Sequence, residues 1–221
     1  MNAHRSTLQI SAADFLPQRR TISALRKAAR ECQGCPLYQN ATQTVFGAGA
    51  MKADVLMAGE QPGDQEDLQG RPFVGPAGRL LDAALDEAGI DRGEVYMTNA
   101  VKHFKWTPRG KKRLHAKPSS REITACRPWL TAEIDAVQPQ IVVCLGATAA
   151  QSLLGSSFRI TRQRGQLLDS EWAPAVMATY HPSAVLRAPE REQREELRAL
   201  LVRDLSLVSR TLAKRRKRRH D

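Results

Sequence analysis

Residues 54–64 read DVLMAGEQPGD, a short apolar run that ends abruptly in glycine, proline and polar residues. An apolar run of this length, bounded by turn residues, is typical of a buried strand. Residues 95–98 (VYMT), 141–145 (IVVCL) and 175–179 (AVMAT) have the same character. Because segments with helical spacing separate these runs, right-handed crossovers and a mostly parallel sheet are expected. The sequence therefore predicts an α/β fold of three layers, α/β/α, around a central four-stranded sheet.

Polar clusters follow three of the four predicted strands. They read GEQPGD at 59–64, NAVKHF at 99–104 and HPS at 181–183. Open parallel sheets bind their ligands beyond the carboxyl ends of the strands. The three clusters therefore predict one functional site at that edge of the sheet.

The chain is strongly basic, with a formal net charge of +11 over 221 residues. Six of these charges lie in the run KRRKRR at 214–219, which leaves +5 (11 minus 6) for the rest. A body that is basic without its tail predicts a polyanionic partner, most simply nucleic acid. We expect a loose lead-in at 1–20, one domain at 21–212 and a disordered basic tail at 213–221. The tail would act either as a solubilising segment or as a salt-sensitive DNA tether.

Two kinds of segment that the sequence lacks bear on the cellular compartment of the protein. No apolar stretch approaches the length needed to span a bilayer, and the first residues lack the apolar run of a signal peptide. We therefore expect a cytoplasmic protein that contacts no membrane and acts as a monomer. In a reducing cytoplasm, cysteines serve as metal ligands or free thiols more often than as disulfides.

The four cysteines are Cys32, Cys35, Cys126 and Cys144. A close pair with two distant single cysteines can complete a tetrahedral site, and both zinc and iron–sulfur clusters accept four thiolates. Spacing alone does not decide between zinc and an iron–sulfur cluster. A further alternative, two incidental buried thiols beside an unpaired CxxC, is disfavoured because no cysteine is left over. A thioredoxin-like redox role is disfavoured, because this CxxC follows a predicted helix instead of a strand.

A second basic segment, residues 110–119, reads GKKRLHAKPS. It is dense in cations, has no apolar periodicity and contains one histidine, His115. Taken alone, such a segment is typical of a solvated loop.

Together these features resemble the uracil-DNA glycosylase superfamily over roughly residues 32–207. In detail the chain is similar to the iron–sulfur family 4 branch, and within it to UdgX-type cross-linking proteins. Residues 59–63 read GEQPG, where ordinary family 4 enzymes have GEAPG, and residues 181–183 supply the second motif, HPS. Residues 111–115, KKRLH, match the UdgX-type KRRxH loop except at Lys112. The resemblance also implies that the four cysteines hold a 4Fe-4S cluster.

By resemblance, the partner is uracil-containing DNA, single- or double-stranded, whose uracil is met outside the base stack. Three residues are then expected to be catalytic. His115 would attack C1′ of the deoxyribose and stay attached, so that each protein molecule acts once. Glu60 would stabilise the cationic sugar and orient or deprotonate the nucleophile, and His181 would hydrogen-bond uracil O2 as it becomes an anion.

The remaining implied roles concern binding. Phe73 would stack on the uracil, and Asn99 would read its O4/N3 edge, since an amide offers a donor and an acceptor. The Arg187 side chain would insert into the DNA helix and fill the gap left by the flipped uracil. The uracil pocket would be completed by Gly59, Gln61 and Asp64, and the other DNA contacts would come from Lys111, Lys112, Arg113, Lys117 and Ser183.

Two alternatives stay open on the sequence. The first is a conventional family 4 glycosylase with multiple turnovers, against which Gln61 and the KKRLH loop argue. The second is a non-catalytic iron–sulfur protein that binds DNA or transfers electrons. Polar residues at three strand ends argue against it, because binding alone does not require them. Release of free uracil from DNA distinguishes a glycosylase from a pure binder.

Overall fold

The computed structural model describes residues 10–220, with side chains through residue 218. Its main sheet has six strands in the order β1-β3-β2-β6-β8-β7, and the four inner strands run parallel. The predicted α/β class and mostly parallel sheet are confirmed, and the predicted strand count of four is extended by two short antiparallel edge strands. The strands of this sheet are β1 (Ala48–Gly49), β2 (Val55–Gly59), β3 (Val95–Asn99), β6 (Ile141–Leu145), β7 (Leu167–Leu168) and β8 (Val176–Thr179).

The strand register aligns the carboxyl ends of the inner strands. Gly59 at the end of β2 pairs with Asn99 at the end of β3. Leu145 at the end of β6 pairs with Thr179 at the end of β8. The residues that follow these strands therefore begin at one common edge of the sheet, as parallel pairing requires.

Helices cover both faces of the sheet. Alternate residues of each strand point to opposite faces, so Val55 and Met57 pack toward α3 and α8 while Leu56 packs toward α4 and α5. Both faces are buried, which explains why the strands are apolar throughout instead of alternating. The helices are α1 (Ile22–Ala29), α2 (Asp64–Gln69), α3 (Pro76–Glu87), α4 (Ser120–Val137), α5 (Ala147–Leu154), α6 (Ile160–Gln163), α7 (Pro182–Arg187) and α8 (Arg191–His220). No helix in the described part of the chain is long and apolar enough to cross a membrane.

The segment at 110–119 is part of a β-hairpin and not the loop that we predicted. Strands β4 (Trp106–Arg109) and β5 (Lys112–His115) pair antiparallel, with Trp106 opposite His115. The two-residue turn begins at Gly110, whose φ of 59° is the left-handed conformation that such turns require. The hairpin forms its own two-stranded sheet. Because it has no buried apolar face of its own, the sequence carried no strand periodicity.

The lead-in is more ordered than expected over the described residues. Ala12–Phe15 form a 3-10 turn that is capped by Ser11, and Ala12 is buried. A Cβ added at Gly34, inside the CxxC, would lie 2.5 Å from the backbone nitrogen of Ala12. The turn therefore packs directly on the CxxC. Residues 1–9 lie outside the described residues.

The basic tail at 213–221 also differs from the expected disorder, because α8 continues through residue 220. Arg215 donates to two backbone carbonyls, and Arg216 pairs with Asp54 and Glu94 at 3.0 and 2.9 Å. Both acidic residues directly precede strands. The tail is therefore anchored at the edge where the strands begin, opposite the strand ends. Its expected roles, solubilising or tethering, stay predictions.

Candidate active site

A cleft of about 700 Å³ opens at the carboxyl ends of the strands. Residues at or directly after the ends of all four inner strands line it, together with His115 of the hairpin, which agrees with a single site at this edge. Most of the residues predicted to act on uracil or DNA are brought together here. The predicted residues that line the cleft are Glu60, Gln61, Phe73, Asn99, His115, Lys117, His181, Ser183 and Arg187.

Gly59 lies at the point where three of these side chains converge. A Cβ at Gly59 would be 2.4 Å from Asn99 Oδ1, 2.8 Å from Phe73 Cζ and 3.4 Å from His181 Nε2. The first two distances are shorter than a Cβ contact allows. Only glycine therefore leaves room for an amide, an aromatic ring and an imidazole around one position.

Phe73 occupies an unusual backbone conformation. Its φ is 57°, which is rare for a residue with a bulky side chain. Its ring lies 6.1 Å from the His181 ring, at an interplanar angle of 29°. A Cβ at Gly78 would lie 1.9 Å from the Phe73 carbonyl oxygen, so the start of α3 holds this backbone closely. Such strain persists where the surrounding structure fixes it, and it often marks functional positions.

The tautomer of His181 is determined by its neighbour. The backbone N–H of Ser183 donates to His181 Nδ1 at 3.1 Å, so Nδ1 is an acceptor and Nε2 carries the proton. Burial lowers the pKa of His181 to about 4, and the positive charge of Arg187 contributes to the lowering. The ring is therefore neutral at pH 7 and presents an N–H donor beside Gly59.

Glu60 and His115 face each other at the mouth of the cleft. His115 Nε2 lies 3.5 Å from Glu60 Oε1, and the other carboxylate oxygen accepts a hydrogen bond from Thr148. The pKa of His115 is lowered, mainly because burial disfavours the charged ring. The carboxylate of Glu60 opposes this shift and Arg187 adds to it. A neutral imidazole thus stands next to a carboxylate.

Gln61 holds the hairpin against the body, although we predicted that it binds uracil. Its Nε2 donates to the carbonyls of Lys105 and Ala116, both at 3.1 Å, and its Oε1 accepts from the Lys105 N–H at 3.1 Å. These two residues flank the hairpin on either side. One buried amide therefore clamps both ends of the hairpin that carries His115, and its donor and acceptor groups are engaged there.

Arg113 and Asp64 also attach the hairpin to the body of the protein. Their predicted contacts with DNA and uracil stay predictions. Arg113 Nε donates to Asp64 at 2.7 Å, and Nη1 donates to the buried Asp67 at 2.6 Å. The guanidinium also lies 5.4 Å from the Phe104 ring centroid. Arg113 therefore pairs with two carboxylates of the body, and Asp64 is directed at Arg113 and is not among the residues that line the cleft.

The other predicted DNA contacts divide into two kinds. Lys111, Lys112 and Lys117 are exposed on or beside the hairpin and are open to phosphates. Arg187 Nη1 donates to Ser183 Oγ at 2.9 Å, so these two side chains contact each other at the rim of the cleft. The predicted insertion of Arg187 into the DNA helix stays a prediction.

Comparison of the amino-acid sequence with known proteins shows the family of this chain. The family model described as the uracil DNA glycosylase superfamily matches residues 46–206. The chain belongs to the uracil DNA glycosylase superfamily. It is 37% identical over 185 residues to the type-4 uracil-DNA glycosylase of Thermotoga maritima, covering 83% of this chain and 91% of that protein. It is also 36% identical over 196 residues to the type-4 enzyme of Sulfurisphaera tokodaii, covering 85% and 86% of the two chains.

Three of the four cysteines of this superfamily member lie together between α1 and α4. Cys32 and Cys126 belong to one buried cluster, and the partly buried Cys35 packs against it. Burial raises the pKa of Cys35 and Cys126, and the nearby cysteines add to it. Two N–H groups point at the sulfur atoms, from Trp129 to Cys32 and from the Lys102 backbone to Cys126, both at 3.2 Å. Such donors stabilise thiolates, which is the form that binds iron.

Cys144 lies apart from this group, so the structure does not bring the four predicted cysteines together. It lies in β6 between Ala58 of β2 and Ala178 of β8, inside the core of the sheet. Burial raises its pKa to about 12, and no other cysteine contributes. Within residues 10–220, no three His, Cys, Asp or Glu side chains stand close enough to bind a single metal ion. A multi-iron cluster is larger and takes more widely spaced thiolates.

Thr148 is a cleft residue that we did not predict from the sequence. It follows the third predicted strand within the segment GAT at 146–148, and its hydroxyl donates to Glu60. The strand-end rule that selected the other three clusters applies here equally. This segment contains no charged residue, so it did not stand out in the sequence as a polar cluster.

Glu66 is a second missed residue, and it joins two loops of the site. Its carboxylate accepts from the backbone N–H of Gly63 at 3.1 Å and of Gly75 at 2.7 Å. It therefore ties the loop that carries Gln61 to the loop that carries Phe73. Its second partner lies nine residues away in another loop, so no local pattern marked it.

Proposed function

We propose that this protein excises uracil from DNA and becomes covalently attached to the resulting deoxyribose through His115. The observation that carries the proposal is the His115 ring held 3.5 Å from Glu60 by a clamped hairpin at the mouth of the cleft. Excision itself is supported by similarity to proteins named type-4 uracil-DNA glycosylases. The test is a denaturing gel after incubation with a uracil-containing oligonucleotide. An adduct that survives heating in SDS, absent with thymine, is expected.

Uracil would bind beside Gly59. Phe73 offers its ring face, Asn99 offers an amide to the O4/N3 edge, and His181 offers Nε2–H to O2. Because burial keeps His181 neutral, it stabilises the departing anion by a hydrogen bond and does not protonate it.

The covalent step uses the lone pair of the His115 ring. With the proton on Nδ1, Nε2 attacks C1′ while the C1′–N1 bond breaks and its electron pair leaves with uracil. Positive charge that develops on the sugar is stabilised by the Glu60 carboxylate. The attached imidazolium then loses its Nδ1 proton to solvent, and the uracil anion takes a proton from solvent. The N–C1′ bond offers no easy hydrolysis, so each protein molecule reacts once.

The rate of adduct formation is expected to be flat at neutral and mildly alkaline pH and to fall in acid. Because the pKa of His115 is lowered from 6.5, the nucleophilic neutral form persists to more acid pH than in a free imidazole. The half-maximal rate should therefore lie below pH 6.5. Single-turnover rates from about pH 5 to 8 measure this. A half-maximal rate above pH 6.5 would show that His115 is not the titrating nucleophile.

The alternative function is a conventional glycosylase with multiple turnovers. The similarity to type-4 uracil-DNA glycosylases covers most of the chain. It supports multiple turnover as much as self-attachment, because both begin with excision of uracil. The two functions differ in stoichiometry, since self-attachment releases one uracil per protein molecule and turnover releases many. Release of more than one uracil per protein molecule, with no adduct, would establish the alternative. The hairpin would then only bind DNA. A non-catalytic binder would release no uracil.

We also propose that Cys32, Cys35 and Cys126 supply three of the thiolate ligands of a 4Fe-4S cluster, which would brace α1 against α4. A matched pair of variants tests this set. Cys35→Ala is expected to lose most of the bound iron, whereas Cys144→Ala should keep it, because Cys144 lies in the sheet core. Iron per protein and the visible absorption of the purified variants measure the difference. Iron loss in Cys144→Ala, with Cys35→Ala unaffected, would reverse the assignment.

A further inference from the structure

We propose that Thr148 is a positioning residue that holds the Glu60 carboxylate away from His115 and so keeps the nucleophilic nitrogen available. The inference rests on the proposed function where it concerns adduct formation. It concerns the free protein as well, because it predicts how His115 titrates in the absence of DNA.

Thr148 is itself rigidly placed. It lies in the first turn of α5 and is only 4% exposed. Gly146, which precedes this helix, donates its backbone N–H to Thr179 at the end of β8 at 2.8 Å. Helix α5 is thereby attached to the sheet at the edge where the cleft opens. The Thr148 hydroxyl is a fixed donor that points at Glu60.

The two carboxylate oxygen atoms of Glu60 have different neighbours. Oε2 accepts the Thr148 hydroxyl, and the Glu60 backbone carbonyl accepts the Val101 N–H at 3.0 Å. The residue is therefore fixed at both ends, with Oε1 directed at His115. The remaining gap of 3.5 Å to Nε2 is longer than a hydrogen bond of about 2.7–3.2 Å. The carboxylate stands close enough to stabilise positive charge but too far to engage the ring.

Removal of the Thr148 hydroxyl would free the carboxylate. Without this anchor, Glu60 can rotate and approach Nε2, where it would form a charged hydrogen bond with a protonated ring. A nearer opposite charge favours the imidazolium, so the pKa of His115 would rise. A higher pKa leaves less neutral ring at a given pH, and the engaged nitrogen no longer has a free lone pair. Adduct formation would then slow most in mildly acid solution.

Other charged groups around the cleft limit this effect but do not remove it. The charged ones are Arg187 of α7, Lys117 beside the hairpin and Glu66 of α2. His181 also titrates, but burial keeps it neutral. Arg187 lowers the pKa of His115 and stays in place in any Thr148 variant. The change expected on removing the hydroxyl therefore comes from Glu60 alone.

The experiment compares Thr148→Val, which keeps the shape and removes the hydroxyl, with Thr148→Ser, which keeps the hydroxyl. The pKa of His115 is measured by NMR titration of the full-length protein without DNA, with the resonance assigned from His115→Ala. We expect Thr148→Val to raise this pKa by roughly one unit and Thr148→Ser to leave it near the wild-type value. Thermal unfolding of both variants confirms that each remains folded.

The kinetic arm measures the pH profile of adduct formation in the same variants. Thr148→Val should be slower by up to about tenfold on the acid limb and should recover toward the wild-type rate at about pH 8. Equal profiles, a uniform loss at every pH, or a serine variant as slow as valine would overturn the positioning role. If the wild-type protein forms no adduct, the proposed function fails, and the NMR titration still decides the inference about Thr148.

Discussion

His115→Ala is expected to form no SDS-stable adduct with uracil-containing DNA. The alanine variant removes the nucleophile and leaves the uracil-binding groups unchanged, because Asn99, Phe73 and His181 lie on other elements of the cleft. The expected loss is at least about 10³-fold, since alanine supplies no group that can attack C1′. The measurement is the fraction of protein shifted on a denaturing gel under single-turnover conditions.

The control for this variant is Leu114→Ala, at the neighbouring exposed position of the same strand. It should form the adduct at nearly the wild-type rate. His115→Ser should admit water beside Glu60, so that free uracil accumulates beyond one equivalent without an adduct. Adduct formation by His115→Ala at the wild-type rate would refute the assignment of the nucleophile.

Gln61→Leu is expected to slow adduct formation by roughly two orders of magnitude. Leucine fills a similar volume but removes three hydrogen bonds to the backbone on either side of the hairpin. At about 0.5–1.5 kcal/mol each, these three bonds total roughly 1.5–4.5 kcal/mol, or about 10- to 2 × 10³-fold in the hairpin-closing equilibrium. An unclamped hairpin places His115 less often at C1′, so water captures more of the sugar. Released uracil per adduct should therefore rise.

A matched control for Gln61→Leu is Gln65→Leu, an exposed position four residues further along the same segment. It should leave both the adduct and the uracil released unchanged. If Gln61→Leu forms the adduct as fast as the wild-type protein but binds uracil DNA weakly, Gln61 reads the base, as the sequence first suggested, and the clamp is unimportant.

The sequence predicted the sheet well because each inner strand is a continuous apolar run with turn residues after it. Strand-end logic then placed Glu60, Asn99 and His181 at one edge, where the structure has them. The start of α4 was also predictable, since Ser119 and Glu122 form a capping box that can be recognised from local spacing alone.

The features that the sequence did not reveal involve residues whose partners are distant in the chain. Arg113 looked like a phosphate contact because its carboxylate partners, Asp64 and Asp67, lie in another segment. Cys144 looked like a ligand because cysteine count and spacing say nothing about which direction a strand residue points. The tail looked disordered because its anchors are isolated ion pairs and carbonyl contacts, which leave no periodic pattern.

The most direct test of the covalent mechanism is to locate the attachment by mass spectrometry of peptides from the isolated protein–DNA adduct. The account predicts the deoxyribose mass on the His115 imidazole, in an adduct that forms without a reducing agent. Attachment to Lys111, Lys112 or Lys117 would contradict the account. An exposed lysine amine can trap an abasic sugar as a Schiff base, and that bond becomes stable only after reduction with borohydride.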